Sequence, residues 1–266
     1  MPKLAIIGCG TMGRAIVQGL GRSDGGWTVS ATVRHAESAA RLAAELGIEA
    51  GTDNVAALVG ADVVLLGVKP QGAAEVFADP AFVAAVQGKL VISICAGVTL
   101  KQLVGWAPGL HAVRAMPNTP ALIGEGMSVV SPGPGVTADE LAVARRIFEA
   151  VGRCRVLDEK HLDAVTGLSG SGPAFVCVVL ESLADGGVMM GLPRDVAVEL
   201  AAQTMQGAAR LVLQTGAHPA ALRDSVTTPA GCTIAGLFVM EDGKIRSTLA
   251  RTVQEAAQVA AGLGKP

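Results

Sequence analysis

Three glycines near the start of the chain have the spacing that most directly suggests a chemistry. Gly8, Gly10 and Gly13 follow an apolar run in the stretch LAIIGCGTMGRAI and fit the pattern G-x-G-x-x-G. Between a strand and a helix, the first glycine permits a tight turn, the second lets a pyrophosphate approach the backbone, and the third lets helix and strand pack closely. The helix would then present free N–H groups to the phosphates. The pattern favours a dinucleotide site over a plain strand-to-helix turn.

The end of the second predicted strand indicates which dinucleotide binds. The stretch ATVRHAES contains Arg34 and no acidic residue before Glu37. An NAD site usually places Asp or Glu here to bind the ribose hydroxyls, whereas a guanidinium suits the 2′-phosphate of NADP in charge and geometry. The sequence therefore favours NADP, and a solvated surface arginine is the alternative.

Acids that other classes of reductase require are missing from the second half. The chain has no tyrosine, and it has no lysine between Lys160 and Lys244. These gaps disfavour alcohol oxidation through a Tyr–Lys pair or through a lysine in a helical second domain. Histidine can act as a general acid or base, but the four histidines fall in no recognisable pairing and are expected at the surface or in loops. They are His35, His111, His161 and His218.

Glycine and small hydroxyl residues are abundant where those acids are absent. They cluster in AVTGLSGSGPAF (164–175) and in DSVTTPAGCTIAGLF (224–238). The second stretch places the tripeptide PAG just before a helix that begins at Cys232. The N-terminus of such a helix offers backbone donors to a carboxylate without any cationic side chain. A glycine kink at a helix crossing and a capped turn are the alternatives for the two stretches.

Composition limits the class of protein and its partners. The 266-residue chain carries a net charge of −2, which argues against nucleic acid as a partner. Its five cysteines form no C-x-x-C pair, so we expect a reduced, cytoplasmic protein without a metal site. We expect no signal peptide and no membrane span, because Glu181 and Asp185 interrupt the best apolar run. The mean hydropathy of +0.48 indicates either an unusually large core or subunits that bury apolar helix faces against each other, and we favour the second.

Apolar runs alternate with helical patterns in the first half of the chain. Strands are predicted at 3–7, 27–33, 62–68, 89–95, 111–116 and 127–131, and helices at 11–22, 36–47, 53–59, 71–86 and 99–106. Thr137 with Glu140 predicts a capping box for a further helix. This alternation is typical of a Rossmann-like, doubly wound parallel sheet in an α/β domain, residues 1–158.

Beyond the stretch RCRVLD only helical patterns remain. Helices are predicted at 159–190, 194–215, 218–225, 232–241 and 244–262. The stretches GLP and GAHP separate them, as Gly C-caps followed by Pro should. The sequence therefore predicts a second, all-α domain at residues 159–266.

Several motifs in sequence order resemble one enzyme family. They include IGCGTMG, GVKPQ, ISICAGVTL, VRAMPNTPALIGEG, DAVTGLSGSGPAF, DGGVMMGLPR and LRDSVTTPAGCTIAGL. Together they are similar to pyrroline-5-carboxylate reductase, from the first strand to the last helices. The resemblance implies reduction of the imino acid 1-pyrroline-5-carboxylate to L-proline, with NADPH preferred and NADH possible. It also implies that the helical domain binds substrate and forms a homodimer, with dimers assembling further into rings.

The resemblance implies roles residue by residue for the cofactor. The glycine loop would hold the pyrophosphate, Arg34 the 2′-phosphate and Asn54 the adenosine side, and two later loops would line the nicotinamide ribose and ring. The implied cofactor-binding residues are Ile7, Gly8, Cys9, Gly10, Thr11, Met12, Gly13, Arg34, Asn54, Gly67, Val68, Lys69, Pro70, Ala96 and Gly97.

A second set of residues would bind and reduce the substrate. The implied substrate-binding residues are Glu159, Gly231, Cys232 and Thr233, and the implied catalytic residues are Thr166, Ser171 and Thr233. Backbone N–H groups at the helix start would bind the carboxylate, and the hydroxyl of Thr233 would hydrogen-bond the ring nitrogen. Asn118 is expected to stabilise a turn rather than to bind ligand.

The sequence departs from the family pattern at two places, and two other functions remain as alternatives. Ala230 stands where many members have glycine, and Val33-Arg34 replaces a commoner pair at the second strand's end. A reductase of another small cyclic imine or of a hydroxyacid is one alternative. A non-catalytic protein that senses NADP is the other.

Overall fold

An eight-stranded sheet forms the N-terminal half in the computed structural model, which describes residues 1–23 and 26–263. The strands are β1 (Lys3–Ile7), β2 (Thr28–Thr32), β3 (Glu49–Gly51), β4 (Val63–Leu66), β5 (Leu90–Ser93), β6 (His111–Met116), β7 (Gly126–Pro132) and β8 (Gly152–Val156). Their order is β3-β2-β1-β4-β5-β6-β7-β8. Neighbours are parallel except β6 and β7, which are antiparallel.

Helices cover both faces of the sheet, as the doubly wound prediction requires. They are α1 (Thr11–Arg22), α2 (Ala36–Leu46), α3 (Asn54–Ala57), α4 (Pro70–Phe77), α5 (Pro80–Ala85), α6 (Leu100–Trp106) and α7 (Ala138–Glu149). Side chains along a strand point alternately to opposite faces. Thus Leu4 and Ile6 pack in a core with α1, α2 and α7, whereas Ala5 and Ile7 pack in a second core with α3 to α6.

Most predicted strands and helices are confirmed, but one predicted helix is wrong. The segment predicted as a single helix at 71–86 is two helices, α4 and α5. Pro80 lacks an N–H and disfavours helical geometry at the residue before it. Asp79 instead caps α5 by accepting a hydrogen bond from the N–H of Ala81 at 2.9 Å.

The far edge of the sheet also differs from prediction. We predicted only parallel pairing, but β7 runs antiparallel to β6 after a short 3₁₀ turn, Thr119–Ile123. Strands β3 and β8 were not predicted; β3 has only three residues and β8 has the mixed sequence GRCRV.

The capping box predicted at the start of α7 is confirmed. The N–H of Glu140 donates to Thr137 Oγ1 at 3.2 Å, and the N–H of Thr137 donates to Glu140 Oε2 at 2.7 Å.

The C-terminal part contains only helices among the described residues. They are α8 (Leu162–Val165), α9 (Gly172–Met189), α10 (Arg194–Thr215), α11 (Pro219–Ser225), α12 (Cys232–Asp242) and α13 (Ile245–Ala260). The segment predicted as one helix at 159–190 is not uniform. A 3₁₀ turn (Glu159–His161) precedes α8, and a π-helical turn (Thr166–Gly170) separates α8 from α9.

By contact density the chain divides into two units. One comprises residues 1–171 with those from Gln254 onward, and the other residues 172–253. The boundary at residue 158 stays a prediction. In the second unit α9 and α10 cross closely, because a Cβ at Gly187 would lie 3.2 Å from the Cβ of Ala197.

Large apolar side chains are exposed on the helices of the second unit. Met189 is 87% exposed, Phe238 65% and Val239 71% in the single chain. Helix α12 has apolar residues around its whole circumference and buries none of them.

Among the described residues, one helical stretch, Glu159–Met189, is long and apolar enough to cross a membrane by length and composition alone. Helices in the cores of soluble proteins meet the same criterion.

Candidate active site

The glycine loop connects β1 to α1 with the expected geometry at two of its glycines. Gly8 has φ +83°, and a Cβ there would lie 2.6 Å from Val68 Cγ1. A Cβ at Gly13 would lie 2.9 Å from Cys9 Sγ. The tight turn and the close helix–strand packing are thus confirmed. At Gly10 a Cβ would meet no described atom within 4 Å, so that backbone is open to approach.

The first turn of α1 has unpaired donors. Gly10 is the N-cap, makes no side-chain cap and accepts the first helical hydrogen bond from Arg14 N–H at 3.0 Å. Among the described residues, the N–H groups of Thr11, Met12 and Gly13 have no acceptor. A 12-residue helix concentrates partial positive charge at this end. The loop can therefore bind an anion through its backbone alone.

A cleft of about 430 Å³ opens beside this loop. Eight of the predicted cofactor residues line it: Gly8, Cys9, Gly10, Arg34, Asn54, Gly67, Val68 and Lys69. The sequence prediction missed six others: Thr32, Val33, Thr52, Gly72, Glu75 and Val76. Seven predicted residues are not among the lining residues: Ile7, Thr11, Met12, Gly13, Pro70, Ala96 and Gly97.

Two cations, Arg34 and Lys69, line this cleft together with one carboxylate, Glu75. Arg34 and Lys69 are exposed, and neither makes an ion pair or hydrogen bond to any described residue. Lys69 is also the N-cap of α4, and Pro70 follows at the first helical position. Two unpaired cations and the free N–H groups of α1 fit a dinucleotide that carries several phosphate charges. The residues present therefore suit NADP.

Thr32 connects the glycine loop to α3. Its hydroxyl oxygen accepts the N–H of Gly8 at 3.2 Å and donates to Asn54 Oδ1 at 2.8 Å. Asn54 begins α3, which Asp53 caps by accepting from two backbone N–H groups. A threonine at the end of β2 gives no sequence signal of its own, because its role depends on the parallel pairing of β1 with β2.

The two buried thiols near the cleft are protonated and unreactive. Burial raises the pKa of Cys9 to about 11; the Arg14 cation lowers it and Glu45 raises it further. Burial likewise raises the pKa of Cys95 to about 11, with hydrogen bonds to Ser93 and Val68 opposing the shift. Because a thiolate is the reactive form, neither cysteine serves as a nucleophile.

The histidines lie outside the cleft, but one of them has a partner. His111 is a partly buried residue of β6, and its Nδ1 is 2.8 Å from Glu140 Oε1 at the start of α7, so the surface or loop position expected of it is wrong. Partial burial raises the pKa of Glu140, but the Thr137 backbone and hydroxyl and His111 together lower it below its usual value. The other three are exposed, and His218 accepts the N–H of Ala220 at 3.2 Å.

A buried arginine holds Glu159 in place. Arg114 on β6 is 3% exposed; its Nη1 donates to Glu159 Oε1 at 3.3 Å and its Nη2 to Asp163 Oδ1 at 3.2 Å. The same Glu159 oxygen accepts the N–H of Leu100, the first residue of α6, at 2.7 Å. The loop before α6 contains Ala96, which packs against the apolar cluster of Met116, Val129 and Leu162.

The π-helical turn presents Thr166 and Ser171. The N–H of Ser171 donates to the carbonyl of Thr166 at 2.9 Å, five residues back, and the Thr166 hydroxyl donates to Leu162 O at 2.8 Å. Asn118 fixes this turn, because its Nδ2 donates to Ser169 O at 3.0 Å while its Oδ1 accepts the Met127 N–H at 2.8 Å. The structural role expected of Asn118 is confirmed. Such π turns often occur at functional sites.

The segment before α12 is a tight turn with a strained residue. The N–H of Gly231 donates to Thr228 O at 3.1 Å across Pro229 and Ala230, and Ala230 has φ +55°. Proline second and a left-handed third residue indicate a type II turn, which favours glycine where this chain has alanine. A Cβ at Gly231 would lie 2.3 Å from Thr228 Oγ1.

The turn leaves the first donors of α12 unpaired. The N–H of Gly231 is used within the turn, whereas those of Cys232, Thr233 and Ile234 have no acceptor among the described residues. The 11-residue helix therefore begins with three free N–H groups. The predicted substrate residues lie in both units, with Glu159 and Ser171 in the first and Thr233 in the second. Their meeting in one pocket stays a prediction.

Comparison with known families finds matches to both parts of the chain. Residues 159–263 match the family model described as pyrroline-5-carboxylate reductase dimerisation. Residues 3–97 match the model described as NADP oxidoreductase, coenzyme F420-dependent.

Full-length relatives share one name. The chain is 42% identical over 283 residues to pyrroline-5-carboxylate reductase of Schizosaccharomyces pombe, covering 100% of both chains. It is 42% identical to the enzyme of the same name from a Synechocystis species, covering 99% of this chain and 98% of that one.

Solved structures agree along the whole chain. The pyrroline-5-carboxylate reductase of Coxiella burnetii superposes with a TM-score of 0.91 at 31% identity, covering 99% of this chain and 98% of that one. Plasmodium falciparum pyrroline carboxylate reductase with NADP bound superposes with a TM-score of 0.88 at 27% identity and the same coverage.

Proposed function

This chain belongs to the pyrroline-5-carboxylate reductase family, and we propose that it reduces 1-pyrroline-5-carboxylate to L-proline with NADPH, the last step of proline synthesis. The observation that carries the proposal is the cleft at the glycine loop, where neither Arg34 nor Lys69 pairs with a described residue and the first N–H groups of α1 have no described acceptor. Such a cleft suits a dinucleotide with an additional phosphate.

The residues of the cleft would divide the cofactor between them. The free N–H groups of α1 would bind the pyrophosphate, Arg34 the 2′-phosphate, and Asn54 the adenosine side. Gly67 to Pro70 would line the nicotinamide ribose, and the Ala96–Gly97 backbone would lie beside the ring. When bound, NADPH supplies the hydride. NADH would be used less well, because it lacks the phosphate that Arg34 would bind.

The start of α12 would bind the substrate carboxylate. The N–H groups of Cys232 and Thr233 have no acceptor in the part of the chain that the structure describes, and they lie at the positive end of an 11-residue helix. The N–H of Gly231 is already paired with Thr228 O. Gly231 would therefore contribute by allowing close approach rather than by donating a hydrogen bond.

The reaction places only a small demand on acid catalysis. A hydride is added to the imine carbon and a proton to the ring nitrogen, and an imine nitrogen is more basic than a ketone oxygen. A positioned hydroxyl or water is then sufficient as the donor, which fits the absence of tyrosine from the chain. We assign the ring-nitrogen contact to Thr233, with Thr166 and Ser171 completing the pocket. The rate enhancement would come mainly from orientation.

The exposed apolar helices would be covered in an assembly. The match of residues 159–263 to the dimerisation family indicates a homo-oligomer. The finer proposal is that two copies pack their apolar helix faces together and that dimers assemble into a ring. Such a contact between copies would cover the exposed side chains of Phe238 and Val239 on α12, so their exposure would not require a membrane. A cytoplasmic location is part of the same proposal.

Replacing Thr233 by alanine tests the substrate assignment. We expect kcat to fall by about 100-fold, the lower end of the effect of a positioned proton donor, because the imine nitrogen is itself basic; the melting temperature should not change. NADPH consumption is followed by absorbance as 1-pyrroline-5-carboxylate is added. Thr215→Ala is the matched control, because that exposed hydroxyl bonds only to nearby backbone at the end of α10: it donates to Leu211 O at 2.6 Å and accepts the Ala217 N–H at 3.1 Å. Unaltered kcat and KM in Thr233→Ala would remove the assignment.

The same assay separates the alternative functions. Faster turnover of a different ring imine or of a hydroxyacid would identify another reductase on this fold. NADPH binding without consumption in the presence of any imine would indicate a sensor.

A further inference from the structure

The cluster of Arg114, Glu159 and Asp163 connects three separate elements of the first unit. Arg114 lies on β6, Glu159 begins the 3₁₀ turn after β8, and Asp163 lies on α8. One guanidinium bonds to both carboxylates, at 3.3 and 3.2 Å. Because Glu159 Oε1 also accepts the Leu100 N–H at 2.7 Å, the start of α6 joins the same cluster.

Because Arg114 is buried, it depends on its two carboxylate partners. Arg114 is 3% exposed, and its Nε has no partner among the described residues. A buried cation must be paired, and removal of one partner leaves an uncompensated charge. The two carboxylates already neutralise Arg114, so it is not available as a binding site for the substrate's carboxylate.

Both ends of the cluster lie next to segments assigned to the reaction. Leu100 is the first residue of α6 and directly follows the loop that contains Ala96 and Gly97, which the proposed function places beside the nicotinamide. Asp163 stands three residues before Thr166, where the π-helical turn begins. The carboxylate of Glu159 therefore fixes the distance between the ring-facing loop and the turn that presents Ser171.

We propose that Glu159 and Arg114 are positioning residues that hold the 96–100 loop and the 162–171 segment in register for hydride transfer. This inference rests on the proposed function and changes the predicted role of Glu159, which then acts through Leu100 and Arg114 rather than by touching substrate. Orientation errors of about 1 Å can cost on the order of 100-fold in rate. The main effect of losing the carboxylate therefore falls on kcat.

Two substitutions at Glu159 and one matched control test the inference. Glu159→Ala removes both bonds, Glu159→Gln keeps a carbonyl oxygen for the Leu100 N–H, and Asp158→Ala removes a neighbouring carboxylate that is 78% exposed and 3.6 Å from Lys160. We expect Glu159→Ala to lower kcat at least about tenfold with KM for the imine within about twofold. Glu159→Gln should recover part of kcat, and Asp158→Ala should match the wild type.

Amide hydrogen exchange gives a readout that does not need turnover. Exchange in 96–100 and 162–171 should rise in Glu159→Ala and stay near wild-type rates in Asp158→Ala. If Glu159→Ala does not fold, Glu159→Gln carries the test through a lower kcat at unchanged KM.

Three outcomes would overturn the inference. A rise in KM for the imine at constant kcat would show that Glu159 binds substrate directly. Unchanged kcat in both variants would show that the register does not matter, and unchanged exchange would show that the cluster does not hold the two segments. A wild-type enzyme that does not oxidise NADPH with the imine would instead reject the proposed function itself.

Discussion

Replacing Arg34 by alanine should reduce the preference for NADPH over NADH. The Arg34 guanidinium lines the cleft and has no partner among the described residues, so its full hydrogen-bonding capacity is available for a 2′-phosphate. A hydrogen bond to a charged group contributes about 1.5–3 kcal/mol. Arg34 is exposed, and solvent screening reduces this to about 1 kcal/mol, the upper end for an exposed charge pair. We therefore expect a loss of about fivefold in the NADPH-to-NADH ratio of kcat/KM.

Steady-state kinetics with each cofactor at saturating imine measures this ratio. Arg41→Ala is the matched control, because Arg41 is an exposed arginine on α2 that does not line the cleft. It removes the same charge from the same unit. Arg34→Lys should keep part of the preference, since an ammonium retains the charge but loses the bidentate geometry.

Two results would contradict this reasoning. A ratio that stays within about twofold of wild type in Arg34→Ala would mean that the guanidinium does not meet the phosphate. An equal loss in Arg41→Ala would mean that overall charge, rather than a local contact, attracts the more highly charged cofactor.

Two further predictions concern the glycine loop and α7. Gly10→Ala should weaken NADPH binding, because the backbone would no longer be open to the pyrophosphate, and the melting temperature should not change, because the added Cβ would meet no described atom within 4 Å. Gly13→Ala should cost about 1–3 kcal/mol of stability through overpacking against Cys9. Fluorescence titration and thermal melts check the pair, and equal melting temperatures of the two variants would contradict the prediction. The lowered pKa of Glu140 means that its stabilisation is present at neutral pH and is lost as pH falls through its folded-state pKa. The difference in melting temperature between wild type and Glu140→Gln should therefore be largest at neutral pH and shrink as the pH falls below the ordinary glutamate pKa of about 4.3, and a difference that grows on acidification would contradict the assignment.

Local spacing made the glycine loop and the caps predictable. The turn at Gly8 and the packing at Gly13 follow from three glycines placed between a strand and a helix, and all of these residues lie within one short stretch. The capping box at Thr137 and Glu140 likewise depends on two residues three apart. Where the determining contacts are this close in sequence, pattern reasoning is sufficient.

Non-local contacts were beyond such reasoning. The reversed direction of β7 depends on pairing with β6, and an apolar run such as MSVVS has no directional signal. The role of Thr32 depends on parallel pairing of β1 with β2, and that of Glu159 on burial of Arg114, 45 residues earlier. The break between α4 and α5 is different, because Asp79-Pro80 is a local signal that could have been used.

The chain has no tyrosine and no lysine between Lys160 and Lys244, so the proposed reaction would depend mainly on how the reacting groups are oriented. The buried thiols of Cys9 and Cys95 have pKa values raised to about 11, so they neither attack nor exchange a proton readily at neutral pH. The hydroxyl of Thr233, the donor that we propose, is a weak acid and would act only when it is aligned with the ring nitrogen. The alignment then matters as much as the donor, because both are needed in the same transition state. Loss of the Glu159 bonds and loss of the Thr233 hydroxyl should accordingly be less than additive in kcat when combined.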